Sequence, residues 1–108
     1  MNKELKMAPG DVLMKEGDSS DSIFFLTSGH LNVFVKNKKI GEVHPGDIVG
    51  EMAFLRNESR SATVIADLKS EVLVLSRESL QDDIDNCPPW IKKLIHKLID
   101  RILDKNLK

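Results

Sequence analysis

The sequence predicts a mainly β fold, a sandwich or barrel of short strands, with two helices at its C-terminal end. Three observations carry that expectation. Between Val12 and Ser76 the apolar residues come in short runs rich in Val, Ile and Phe, each bounded by Gly, Asp, Pro or Asn, the pattern of short strands and tight turns. The runs recur about every 8–12 residues, the spacing of a sandwich or barrel. After Ser76 the chain turns more charged, and its apolar residues fall at helical spacing.

Taken in order, Pro9-Gly10-Asp11 and Pro45-Gly46-Asp47 repeat one tripeptide, each time before two aliphatic residues. Two readings fit: a trace of an internal repeat, or two unrelated turns in which Pro presets φ and Gly accepts a positive one. Leu31, Val33 and Val35 alternate with Asn32, Phe34 and Lys36, a period of two that puts the first three on one face, expected inside. Asn37-Lys38-Lys39 reads as a polar turn leading into Lys39 to Val43, so the pair forms a hairpin. Val72 to Leu75 is continuously apolar, which suits a strand covered on both faces. Arg77 to Asn86 carries Leu80 and Ile84 at helical spacing, a short helix lying on the β part. Pro88-Pro89 breaks the chain and starts a second helix, expected to run from Pro89 to near Lys105, because proline is tolerated in a first turn. Its stripe of Ile91, Leu94, Ile95, Leu98, Ile99, Ile102 and Leu103 is too wide for one contact with a small β body, so two partners are expected. Trp90, Ile91 and Leu94 suffice for the face packed on the roll.

A chain of 108 residues with 41% hydrophobic content has room for one core, so one domain is expected. Sixteen basic residues against seventeen acidic ones leave no field to draw nucleic acid or an anionic membrane. No apolar stretch approaches the roughly 20 residues that span a bilayer. The single cysteine, Cys87, has no internal partner, and the start MNKELKM has no apolar run of a signal sequence. A cytoplasmic protein is expected, and the Asn57-Glu58-Ser59 sequon is read as unused.

The chemistry concentrates in Val49 to Ala66, VGEMAFLRNESRSATVIA. Gly50 precedes a stretch, Glu51 to Leu55, compatible with one helical turn, whose start leaves the backbone N–H groups near Met52 and Ala53 unpaired and open to a phosphate. The small residues Gly50 and Ala53 allow close approach to the backbone. Arg60 follows nine residues after Glu51 and opens a strand-like run with Ser61, Ala62 and Thr63. A buried guanidinium there can clamp an anion with paired donors, and Ser61 can add a hydroxyl. Glu51 accepts only, so it suits a sugar hydroxyl and repels phosphate.

These residues resemble the phosphate-binding cassette of the cyclic nucleotide-binding domain family, found in cAMP-dependent kinase regulatory subunits, catabolite-activator-type regulators and nucleotide-gated channels. Upstream, GDVLMKEGDSSDSIFFLTSGHLNVFV resembles the family's first strands, with Gly10, Gly17, Asp21 and Gly29 at its turns, followed by PGDIVGEMAFL. The resemblance implies a β-roll or jelly roll of about eight strands with a short helical phosphate-binding insert, and a ligand, cAMP or cGMP, in place of any cofactor. It implies that Gly50 contacts the ribose through its backbone, Glu51 the 2′-hydroxyl, Met52 and Ala53 the phosphate through their N–H groups, Arg60 the phosphate charge, and Ser61 and Ala62 further phosphate atoms, with Val33 on the apolar wall. Val49 stands where many members have Phe, and Ser59 where kinase-type members have Pro. Ser61 is compatible with either nucleotide.

The domain is expected as residues 1–86, the roll with the first C-terminal helix, and residues 87–108, its terminal helix. That helix is read as a lid over the base, a dimer or effector contact, or the attachment point of an output domain, with its lysines a solvated face. A sensor without chemistry of its own is expected. The alternatives are a ligand-free roll, with Arg60 and Glu51 as a structural ion pair, that works as an interaction module, and a metal-dependent cupin enzyme. The latter needs clustered histidines, and His30, His44 and His96 contain no His-x-His pair, so no metal is expected. His30 and His44 are expected as exposed turn residues, and Cys87 as a helix-end packing residue.

Overall fold

The computed structural model describes residues 3–103. In chain order these form β1 (Lys3–Met7), β2 (Val12–Met14), β3 (Ser22–Ser28), β4 (Leu31–Val35), β5 (Lys38–Val43), β6 (Ile48–Val49), α1 (Glu51–Arg56), β7 (Thr63–Ala66), β8 (Ser70–Ser76), α2 (Arg77–Asp85) and α3 (Pro89–Leu103). The strands make two antiparallel sheets of four, in the orders β1-β8-β3-β6 and β2-β7-β4-β5. This is the expected β-roll, with the helical insert between β6 and β7 and the two helices at the end.

Alternation on each strand sends one set of side chains between the sheets. Met7, Phe24, Leu26, Leu31, Val43, Val49, Val64, Ala66 and Val72 form that core. Of the run Leu31, Val33 and Val35, only Leu31 is fully enclosed; the other two are half-buried. β8 lies between β1 and β3, with Val72 buried and Leu73, Val74 and Leu75 half-buried.

The two Pro-Gly-Asp turns are built alike. Asp11 Oδ2 accepts from Ala8 N at 2.8 Å, and Asp47 Oδ2 accepts from His44 N at 2.9 Å. Gly10 N donates to Ala66 O while Ala66 N donates to Asp11 O; Gly46 N donates to Leu26 O while Leu26 N donates to Asp47 O. Each turn feeds an edge strand, β2 in one sheet and β6 in the other, so the sequence repeat corresponds to a repeated structural unit.

The β4–β5 turn falls earlier than the sequence suggests. Lys36 and Asn37 both have positive φ, 50° and 67°, as a two-residue hairpin loop twisted to match its strands requires, so β5 begins at Lys38. A register shift beside Val33 and Phe34 pairs Val33 with Gly41 and Phe34 with Lys39. It leaves Ile40 between them, turned to solvent.

α2 starts where Ser76 Oγ accepts from Ser79 N at 3.1 Å, a side-chain cap, and seats the buried Ile84 and half-buried Leu80. Cys87 Sγ donates to Asp83 O at 3.2 Å at the helix end. α3 begins at Pro89, and the expected end near Lys105 lies outside the described residues. Its packed face differs from the expected one: Ile91, Ile95, Ile99 and Leu103 are half-buried, whereas Trp90 is 69% exposed and Leu94, Leu98 and Ile102 lie beside it in solvent. Residues 91, 95 and 99 stack on successive turns of one face, and residues 90, 94 and 98 form the neighbouring ridge. Among the described residues no helix is long and apolar enough to cross a membrane.

Candidate functional site

Between α1 and the inner face of the β2-β7-β4-β5 sheet lies a cavity of about 240 Å³, lined by Met14, Val33, Val43, Ile48, Val49, Gly50, Glu51, Met52, Ala53, Ser61 and Val64. Six expected residues, Val33, Gly50, Glu51, Met52, Ala53 and Ser61, are therefore brought to one place. Their arrangement follows from the chain path. β6 delivers Gly50, whose φ of 81° and ψ of 11° turn the chain into α1; β7 follows the arginine segment back along the sheet.

Gly50 is required twice over. Its left-handed backbone disfavours any side chain, and a Cβ there would run into Arg60 Nη1. The first α1 bond, Phe54 N to Gly50 O at 3.3 Å, leaves the amide groups of Glu51, Met52 and Ala53 at the open end of the helix. Gly50→Ala is expected to cost about 1–2 kcal/mol from the backbone alone, plus displacement of the arginine. Chemical denaturation checks this, and a neutral effect would contradict the geometry.

Arg60 and Ala62 are buried and do not line the cavity. Arg60 is 5% exposed; its Nη1 donates to Gly50 O at 2.8 Å and its Nη2 to Ser22 O at 2.6 Å. The guanidinium also lies 5.2 Å from the Phe24 ring centroid. Its backbone is pinned by Arg60 N to Asp18 O and Gly17 N to Arg60 O. Among the described residues, no carboxylate forms an ion pair with it, so the Arg60–Glu51 pair of the ligand-free alternative does not form. Burial pulls the Arg60 pKa down, while Asp21 and Asp18 at longer range oppose that. The two carbonyl bonds use two of the five guanidinium donors.

Several lining residues escaped the sequence reading. Met14, Val43, Ile48, Val49 and Val64 complete the walls; the β2–β7 and β4–β5 pairings bring in Met14, Val64 and Val43, and β6 of the other sheet brings in Ile48 and Val49. Arg77 also escaped the sequence reading, though it does not line the cavity: its Nη2 donates to Phe54 O at 2.8 Å and Ser20 O at 3.1 Å, and its guanidinium lies 4.1 Å from the Phe54 ring centroid. The first residue of α2 thus holds α1 directly. Ser20 Oγ reinforces the end of α1, its single hydroxyl hydrogen shared between the carbonyls of Glu58 at 2.5 Å and Ala53 at 3.0 Å.

A two-sheet roll whose cavity has apolar walls and the open start of a short helix at one side, with a buried guanidinium bonded behind that helix start, has the build of a ligand-binding β-roll. The chain belongs to the cyclic nucleotide-binding domain family, which matches residues 4–86. It is 37% identical over 76 residues to a cAMP-dependent protein kinase regulatory subunit of Hypocrea atroviridis, covering 70% of this chain and 16% of that protein. It is 32% identical over 102 residues to the Pycsar effector protein PaPycTIR of Pseudomonas aeruginosa, covering 94% of this chain and 33% of that one. The structure of cAMP-bound PfPKA-R superposes with a TM-score of 0.72 at 29% identity, over 93% of this chain and 34% of the other. The chain thus spans a third or less of the length of these relatives. The family is a regulatory binding domain.

Proposed function

We propose that this domain senses a cyclic nucleotide, cAMP or cGMP, has no catalysis of its own, and passes the binding event to its C-terminal helices. The observation that carries the reading is a buried guanidinium with no carboxylate partner among the described residues, set directly beneath the open start of α1. A buried charge of this kind favours an anion. The cyclic phosphate would meet the amides of Met52 and Ala53, the Ser61 hydroxyl and the free donors of Arg60, with Ala62 shaping the backbone beneath. Glu51, an acceptor, would take the ribose 2′-hydroxyl, the Gly50 backbone would meet the ribose, and Val33 would lie against its apolar side. The relatives named for cAMP and cGMP support this assignment.

Coupling follows from Arg77, which ties α1 to α2, and from the Asp85–Lys92 ion pair of 3.2 Å between α2 and α3. A ligand that moves α1 changes where these helices rest, to the extent that it prefers one placement over the other. Residues 87–108 are the segment for a lid, a dimer or an effector contact. The ligand-free interaction module is the second reading, favoured by the existing Arg60 bonds to Gly50 O and Ser22 O and by the exposed Trp90, Leu94, Leu98 and Ile102.

A thermal melt with cAMP and cGMP added separately tests the proposal. At 100 times Kd a ligand adds about 2.7 kcal/mol, so a rise in Tm of roughly 10 °C or more is expected. A well-folded sample that shifts with neither nucleotide supports the second reading.

A further inference from the structure

We propose that His30, Glu42 and His44 bind one divalent transition-metal ion of the zinc class on the outer face of the β2-β7-β4-β5 sheet. The residues meet through strand register. Leu31 pairs with Val43 and Asn32 with Glu42, so His30 stands opposite His44, one step beyond, and Glu42 lies diagonally across from His30. Glu42 and His44 flank the buried Val43 and share the opposite face of β5.

One ligand atom from each of the three lies within 4.8 Å of the others. His30 Nε2 is 2.8 Å from Glu42 Oε1, and His44 Nε2 is 3.8 Å from the same oxygen. Tetrahedral zinc, with bonds of about 2.0–2.2 Å, spaces its ligands about 3.4 Å apart, between those two values. Small side-chain rotations are enough to close the shell, with water as the fourth ligand.

The surroundings are those of a supported metal site. Asp67 Oδ2 lies 3.1 Å from His30 Nδ1 and Asp47 Oδ2 lies 4.0 Å from His44 Nδ1, so each imidazole has a carboxylate behind it. The Asp67 hydrogen bond fixes the His30 tautomer that presents Nε2 to a metal, whereas Asp47 lies near His44 Nδ1 without bonding to it. Lys39 Nζ, 3.0 Å from Glu42 Oε2, holds the other carboxylate oxygen and leaves Oε1 toward the histidines. With Glu42, Asp47 and Asp67 against Lys39, the local charge favours a cation. His30 is set firmly: its imidazole is 17% exposed, its backbone N donates to Ser70 Oγ at 3.1 Å, and its carbonyl accepts from Asp67 N at 2.9 Å. It is thus not the exposed turn residue expected from sequence, because the β7–β8 connection folds over it. Two imidazoles and a carboxylate suit zinc and its neighbours better than calcium or magnesium.

Calorimetric titration of chelator-treated protein with zinc chloride tests the site, beside His44→Ala, Asp67→Asn and His96→Ala. His44 is exposed, so its replacement leaves the fold intact, and a metal-free melt checks that. One zinc per chain is expected, weakened at least about 100-fold by His44→Ala and about 10- to 100-fold by Asp67→Asn, and unchanged by His96→Ala. No binding by the wild-type protein, or binding that survives His44→Ala at full strength, overturns the proposal and leaves the cluster as an ion-pair network.

Discussion

Replacing Arg60 by Ala is expected to weaken nucleotide binding by roughly 10²–10⁴-fold. The guanidinium would supply two or more hydrogen bonds to a charged phosphate, each about 1.5–3 kcal/mol, and tenfold in Kd corresponds to about 1.4 kcal/mol. The substitution also removes the donors now on Gly50 O and Ser22 O, so the ligand-free domain loses about 1–3 kcal/mol as well. The measurement is therefore Kd by calorimetry, not the Tm of the mutant alone. Arg60→Lys keeps the charge but not the planar fork and should recover only part of the affinity. If Arg60→Ala binds cAMP and cGMP as the wild type does, the phosphate is not held at Arg60.

The largest loss of stability is expected from Leu26→Ala, about 3–5 kcal/mol. Leu26 is 0% exposed, at the middle of β3, and belongs to the cluster shared by both sheets. Neighbouring strands fix its surroundings, so the cavity left behind closes only in part. Tm should fall by roughly 12 °C or more. Leu68→Ala, at an exposed position, should change stability by no more than about 0.5 kcal/mol. Chemical denaturation of the two mutants side by side reads the contrast, and similar losses would mean that the core is not where the sheets place it.

Much of the site was legible because it is local. Gly50 to Ala53 lie at one helix start, and Arg60 follows close by in the chain, so the residues that line or back the cavity could be picked out as one group before any fold is known. What lies far apart in sequence was harder to see. Arg77 gives no signal in the sequence that it caps the carbonyl of Phe54, and Met14 gives none that it lies beside Val64, and Val64 beside Val33, along one wall of the cavity. The histidines show the same limit in another form. A search along the chain for His-x-His finds nothing, whereas Glu42-Val43-His44 already has the period of two that places both side chains on one face. Its partner, His30, comes from the adjacent strand and needs the register to be known.

By itself the sequence determined the class of fold, the order of its strands and helices, and the family of the cassette. Alternation, turn residues and proline act over a few neighbours, and those neighbours are written in the chain. Only the tertiary structure decided that Arg60 bonds to Gly50 and Ser22 rather than lining the cavity, that α3 packs through Ile91, Ile95 and Ile99 and leaves Trp90 in solvent, and that His30 meets His44. These outcomes depend on which faces the two sheets and three helices present to one another, and a helix with apolar residues on two faces has no local feature that selects between them.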